Sequence, residues 1–465
     1  MSHLPAWAQE LLPILGLLLV IVVLVRRLPR VDVGHTPAYL RRRVANWMPV
    51  GLTYAFLYMA RYNLNATVGH LFDKAQFSSI YAWGTLAYGV SFVINGPLTD
   101  RFGGKATILV AALGAAAVNV AMGVAATGVA SSKAGHPELV PLFAVLYATN
   151  MYFQSFGAVS IVKVNSAWFH LRERGTFGGI FGILISLGLY FAFDWCTLIL
   201  KATSTPFVFY VPAAILLVFA LADLLLVKNT PGEAGHVDFD CGDATGEHDE
   251  KASVFDVVKK MLSNPAILTI ALIEFCSGYL RNAILQYYKP FAKDLGRVPG
   301  DFVHDHWGML NCIAGISGGM VAGLISDRVF GSRRGPVSAV LYGVMIAGSL
   351  LMFATLGSPL IGWVVIVMSL AIIGVHGMLS GTASMDFGGK KNTGIAVGLI
   401  DGFVYLGVAL EALVLGKVLP KGDAAKLASN WTPWPTVMLP ATIVGFVLAL
   451  RVWNAKPKSS SAAGH

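Results

Sequence analysis

Apolar runs of about 20 residues recur along almost the whole chain, and a run of that length crosses the hydrocarbon core of a bilayer as one helix. Lipid offers the backbone no hydrogen-bond partners, so each run predicts a helix that satisfies its own polar groups. Beyond an apolar stretch at 11–25, twelve segments read as spans. Six lie at 46–70, 78–99, 105–127, 139–163, 175–200 and 206–227; six more lie at 264–288, 306–326, 336–357, 359–384, 393–418 and 435–455. Between the two sets, Lys228 to Lys260 is polar and holds Asp238, Asp240, Asp243, Glu247, Asp249 and Glu250. That composition reads as a flexible linker on one side of the bilayer. The expected organisation is an anchor helix and basic segment over 1–43, a six-helix bundle over 44–227, a polar linker over 228–262, a second six-helix bundle over 263–455 and a disordered tail over 456–465. The fold class is all-α and polytopic.

Composition and charge agree. The chain is 55% apolar and 13% charged, where a soluble domain carries about a quarter charged residues. Its net charge of +9 would suit a nucleic-acid partner in a soluble protein. In a membrane chain, Lys and Arg gather in cytoplasmic loops and fix topology, so no nucleic acid is expected. If the segment at 46–70 starts in the cytoplasm, about two thirds of the 34 Lys and Arg residues fall inside. They include Arg41 to Arg43, Arg172 and Arg174, Arg333 and Arg334, and Lys390 and Lys391. Arg26, Arg27 and Arg30 follow the stretch at 11–25 and no Lys or Arg precedes it, so it reads as an uncleaved anchor. The N-terminus is then outside and the C-terminus, with Lys456 and Lys458, cytoplasmic. The four cysteines form no CxxC pair, and no ATP-binding loop or catalytic constellation is visible. Neither an enzyme nor a cofactor or metal is expected.

Two loops repeat one another. Asp100 and Arg101 lie between the second and third spans of the first half, and Asp327 and Arg328 lie between those of the second. A repeat at equivalent places predicts two homologous half-bundles, with these residues in the gating loops. Ionisable groups within spans cost about 2.5–3.5 kcal/mol each on insertion scales and so mark cavities or partners. Arg61 and Arg281 sit at matching depths, one per half, and a guanidinium fork suits phosphate or carboxylate. Helical spacing puts Tyr54, Tyr58 and Asn65 on the face of Arg61, and Glu274, Ser277 and Tyr288 on that of Arg281. Alternatively Glu274 neutralises Arg281. Lys163 either adds positive potential to the pathway or anchors its span end. Glu274 and His376 are candidates for proton coupling, with Asp194, Asp401 and Glu411 as further semi-buried acids; Asp386 is assigned to the gate region.

Several stretches resemble one family. Tyr58-Met-Ala-Arg61-Tyr-Asn, Ala87-Tyr-Gly-Val-Ser91, Trp168-Phe-His-Leu-Arg-Glu173-Arg174-Gly175, Tyr279-Leu-Arg281, Ser326-Asp327-Arg-Val-Phe330, Gly389-Lys390-Lys391-Asn-Thr-Gly394 and Tyr405-Leu-Gly407 are similar, in order, to the organophosphate:phosphate antiporters of the major facilitator superfamily. The resemblance implies two six-helix bundles, with the N-terminal anchor as an addition. It implies a secondary transporter exchanging a small phosphorylated metabolite for inorganic phosphate by alternating access, with Arg61 and Arg281 as the phosphate-binding arginines. A monomer in the bacterial inner membrane is expected. Phe92 and Ile185 stand where glycerol-3-phosphate carriers have a lysine and a histidine, so that substrate is not favoured. Two other readings stay open: a proton-coupled carrier of another organic anion, and a transporter-like sugar-phosphate sensor.

Overall fold

The computed structural model describes residues 34–170, 174–239, 259, 262–297, 300–330, 334–379 and 384–454; the side chains of 174–181, 266, 324, 327, 328, 384–394, 396 and 397 are outside that description. The anchor expected at 11–25, most of the acidic linker and the tail also lie outside it. Among the described residues the chain is helical throughout apart from its turns and one isolated bridge, Val68 to Phe72.

Each of the twelve expected segments is a long helix. The first half holds α1 (Pro37–Tyr62), α2 (Lys74–Phe102), α3 (Gly104–Ala126), α4 (Val140–Ser166), α5 (Arg174–Tyr190) and α6 (Phe207–Leu226). The second holds α7 (Pro265–Leu285), α8 (Trp307–Val329), α9 (Arg334–Thr355), α10 (Leu360–Met378), α11 (Ser384–Val418) and α12 (Pro433–Arg451). α5 runs on through a widened π turn, Phe191–Trp195, into Cys196–Ala202. Among the described residues, nine helical stretches are long and apolar enough to cross a membrane. The long helices α1 and α4 are less apolar because they turn buried polar groups inward, such as Arg61, Asn150 and Gln154.

Helix ends follow capping chemistry that hydropathy does not report. α1 begins nine residues before the apolar run, because Thr36 accepts the Tyr39 N–H (3.2 Å) and Pro37 takes the first turn, where its missing N–H costs nothing. Asp73 and Gln76 form a reciprocal capping box at the start of α2. The ends of α2 and α6 and the described part of the linker share one face of the molecule, here termed the linker face. The turn at 68–72 and the segment 286–306 lie on the opposite, far face.

Close helix approach rests on glycine. A Cβ on Gly407 of α11 would stand 2.1 Å from the Phe275 carbonyl oxygen of α7, and one on Gly278 the same distance from that of Val404. Between the halves, Gly89 of α2 meets Gly402 of α11, each with its would-be Cβ about 3 Å from the other's carbonyl oxygen. Gly407→Val should therefore lower the thermal stability of the detergent-purified protein, since overpacking against backbone costs about 1–3 kcal/mol. A melting temperature equal to that of the parent would show that α7 and α11 need no such approach.

Candidate anion-binding site

Arg61 occupies the last turn of α1 and is fully buried. Its Nε donates to Gln154 Oε1 (2.9 Å), Nη1 to the Tyr405 hydroxyl (2.7 Å) and Nη2 to the Tyr88 hydroxyl (2.6 Å). Three of the five guanidinium N–H groups are thus used, leaving one on each Nη. The cation lies over the Tyr58 and Tyr88 rings, 4.6 and 4.4 Å from their centroids, which offsets part of its desolvation. An amide chain braces it from below. Gln154 Nε2 donates to Asn150 Oδ1 (3.2 Å), while Asn150 and Asn119 both donate to the Ala60 carbonyl (3.1 and 3.2 Å). Tyr147 of α4 donates to the Arg61 carbonyl (3.1 Å).

Arg281, on α7, is 7% exposed, and its Nη2 has no hydrogen-bond partner. The Tyr405 ring is shared: the Cζ atoms of Arg61 and Arg281 each lie 5.6 Å from its centroid, so they stand within about 11 Å of one another. Among the described residues no carboxylate forms an ion pair with either arginine. Glu274 does not neutralise Arg281: its Oε2 meets His376 Nδ1 of α10 at 2.8 Å. Two buried cations, one from each half, therefore face a common ring with donors to spare. Such an arrangement suits a doubly charged oxyanion.

The other candidates divide. Tyr58 lies under Arg61, and Tyr54 stands edge-on to Tyr58 with centroids 5.3 Å apart. Asn65 leaves the helical face, because α1 ends at Tyr62 and Asn63–Thr67 is a tighter 3₁₀ turn; it donates instead to Gln286 Oε1 of the second half (2.6 Å). Tyr288 likewise falls off the Arg281 face, because α7 ends at Leu285. It stacks on Trp307 (4.6 Å) and its hydroxyl donates to Asp301 Oδ2 (2.9 Å), on the far face. Lys163 lies nine residues beyond Gln154 along α4, toward the linker face, and pairs with Asp100 Oδ1 (2.7 Å). That contact holds its ammonium at the end of α2. Arg101 is exposed beside Phe102. The side chains of Asp327, Arg328 and Asp386 are outside the described residues.

The far face is closed over the arginines by bonds between the halves. Asn65 and Tyr81 meet Gln286, Ser78 meets the Tyr287 hydroxyl (2.8 Å), and Lys74 pairs with Asp294. Lys289 donates to Thr197 (3.0 Å). Asp194, presented by the π turn after α5, accepts the Gly308 and Met309 N–H groups (both 2.8 Å), so an acid of one half caps α8 of the other. Residue-by-residue reading of the sequence misses Gln154, Asn150, Tyr88 and Tyr405 as site residues. The available signal was amides four residues apart, Asn150 and Gln154, within an apolar segment.

Comparisons with known proteins follow the geometry. The chain is 26% identical over 443 residues to a glycerol-3-phosphate transporter of Bacillus subtilis (strain 168), covering 90% of this chain and 94% of the relative. It is also 26% identical over 443 residues to the membrane sensor protein UhpC of Escherichia coli (strain K12), covering 90% and 93%. These are relatives of the kind the sequence resemblance implied. Among solved structures, a bacterial homolog of the human lysosomal transporter Spinster, inward-facing and unoccupied, matches with a TM-score of 0.63 at 13% identity. It covers 92% of this chain and 100% of that one, a likeness that speaks for the fold alone. With the Major Facilitator Superfamily model matching residues 50–410, the chain belongs to that superfamily and is an integral membrane protein of a transporter family, not an enzyme.

Proposed function

We propose that this protein carries a small phosphorylated metabolite across the bacterial inner membrane, by alternating access and in exchange for inorganic phosphate. The linker face is assigned to the cytoplasm, on the charge asymmetry of the loops. The observation that carries the reading is the buried pair Arg61 and Arg281. The pair comes from the two halves, shares the Tyr405 ring, and forms no ion pair with a carboxylate among the described residues. Leaving two guanidinium groups uncompensated in a core is expensive, so the site is built for an anion that arrives and leaves. The name of the Bacillus relative points to the same substrate class.

The test is competition for exchange. Proteoliposomes loaded with phosphate take up radiolabelled phosphate in the presence of glycerol-3-phosphate or glucose-6-phosphate, or of glycerol or glucose. The phosphorylated compounds should compete and their dephosphorylated forms should fail by at least ~100-fold, since two charge-assisted contacts are lost. A simple carboxylate that competes as well as the phosphates would overturn the assignment. Binding without any exchange would favour a sensor.

A further inference from the structure

The closed far face carries lysines that its bonds do not use up. After α7, the short helix Tyr288–Asp294 lies along the seam between the halves. Lys289 and Lys293 stand one turn apart on it, so they share a face, about 6 Å from each other along the axis. Both reach across to the first half and meet neutral groups there. Lys289, half-buried, donates to the Thr197 hydroxyl (3.0 Å). The exposed Lys293 lies against the turn at 68–72, where a Cβ on Gly69 would stand 3.0 Å from its Nζ. Each also has an exposed lysine of the first half within electrostatic reach, Lys201 for Lys289 and Lys133 for Lys293.

The acids around them are committed elsewhere. Asp194 accepts the two N–H groups at the start of α8, Asp294 pairs with Lys74, and Asp305 pairs with His304 (3.1 Å). Among the described residues neither Lys289 nor Lys293 forms an ion pair. Topology does not account for these charges. With the linker face assigned to the cytoplasm, the far face should be poor in Lys and Arg. A helix C-terminus favours a cation, which suits Lys293 in the last turn. It does not explain Lys289 one turn earlier, nor the lysines facing both from the other half. Four positive groups, two from each half, thus converge on the seam that closes over the arginines. Lys293, Lys133 and Lys201 are open to water while the seam is closed, so an anion can bind before the halves part. Its presence would relieve repulsion across the seam, and attraction toward it acts over about one Debye length, ~8 Å in physiological salt.

We propose that Lys289 and Lys293, with Lys133 and Lys201 facing them, form a far-face reception site that holds free phosphate, or the phosphoryl group of the substrate, before it passes to Arg61 and Arg281. This rests on the reading of Arg61 and Arg281 as the central anion site and adds a stop on the way to it.

The test is protection of Lys293 from an amine-reactive, membrane-impermeant reagent, read by mass spectrometry on the detergent-purified full chain. Inorganic phosphate at about ten times the Kd of this site should slow labelling of Lys293 about tenfold. Chloride at equal ionic strength should not, and Lys426, exposed but paired with Asp423, should label alike in both. Protection should survive in Arg61→Lys, which weakens the central site. Protection that disappears in Arg61→Lys would trace it to the arginines, removing the reception site and leaving the anion reading intact. Anionic lipid headgroups offer the same phosphoryl chemistry, so stronger protection by a short-chain phosphatidylglycerol than by phosphate would assign the lysines to lipid instead. In cells, Lys289→Gln combined with Lys293→Gln should slow entry of labelled phosphate from low external concentration about tenfold at low ionic strength, and the difference should shrink as salt rises. Lys293→Arg should keep the parent rate. If the double variant does not fold, Lys293→Gln alone, at the exposed residue, carries the same readout. Equal entry in parent and variant at low salt would overturn the reception role. Failure of the parent to exchange phosphate at all would instead overturn the central anion reading, and the reception site with it.

Discussion

Arg61→Lys should lower phosphate exchange by at least ~100-fold although it keeps the positive charge. The guanidinium of Arg61 is held in a fork by Gln154, Tyr405 and Tyr88, and that fork aims its two remaining N–H groups. An ammonium on a flexible stem cannot make three divergent bonds and still present donors in a plane. Hydrogen bonds to charged groups contribute about 1.5–3 kcal/mol each, so losing two costs about a hundredfold or more. Arg281→Lys should weaken phosphate binding comparably but leave the melting temperature near that of the parent, because the Nη2 of Arg281 has no hydrogen-bond partner among the described residues. Arg61→Lys should lower the melting temperature as well, since Tyr88, Tyr405 and Gln154 lose a shared partner. Exchange rates and thermal melts of the two variants, taken together, decide. Activity near that of the parent in Arg61→Lys would mean that the anion sees charge alone and that the fork is structural.

The fold was legible in the sequence because lipid forces a simple code: a run of apolar residues must be a helix, and loop charges must sort by side. The ends of helices obey other rules. α1 starts at Pro37 through the Thr36 cap, and stops at Tyr62 where the 3₁₀ turn begins. Helical spacing therefore brings Tyr58, three residues before Arg61, under the guanidinium, whereas Asn65, beyond the helix end, meets Gln286. Tyr288, beyond the end of α7, meets Trp307 and Asp301. The two arginines were legible because a charge inside an apolar run is conspicuous. Their partners were not, because Gln154 stands 93 residues from Arg61 and Tyr405 stands 344 away. No local pattern encodes a contact between helices so far apart in the chain, within one half for Gln154 and between the halves for Tyr405. Glu274 and His376, both singled out for their cost in a span, turn out to be neighbours from α7 and α10, which spacing along one helix could not show.

Vesicles loaded with phosphate should take up labelled phosphate at least ~30-fold faster than empty vesicles. To return empty, the carrier must repack its halves around two guanidinium groups that, among the described residues, form no ion pair with a carboxylate. They stand within about 11 Å of each other, where repulsion at interior screening is roughly 1.5 kcal/mol. Desolvation adds to this, at about 2.5–3.5 kcal/mol per unbalanced charge on insertion scales. A loaded carrier avoids most of that cost, and a difference of about 2 kcal/mol in barrier is already a factor of ~30. The bonds that close the far face, such as Asn65 to Gln286, Lys74 to Asp294 and the Asp194 cap on α8, are broken in loaded and empty cycles alike. They set the absolute rate but cannot produce the difference between the two. A selective slowing of the empty carrier thus isolates the arginine charge as its cause. Equal uptake into empty and loaded vesicles would show that the charge is balanced in some other way during the return step, and exchange would no longer be the obligatory mode.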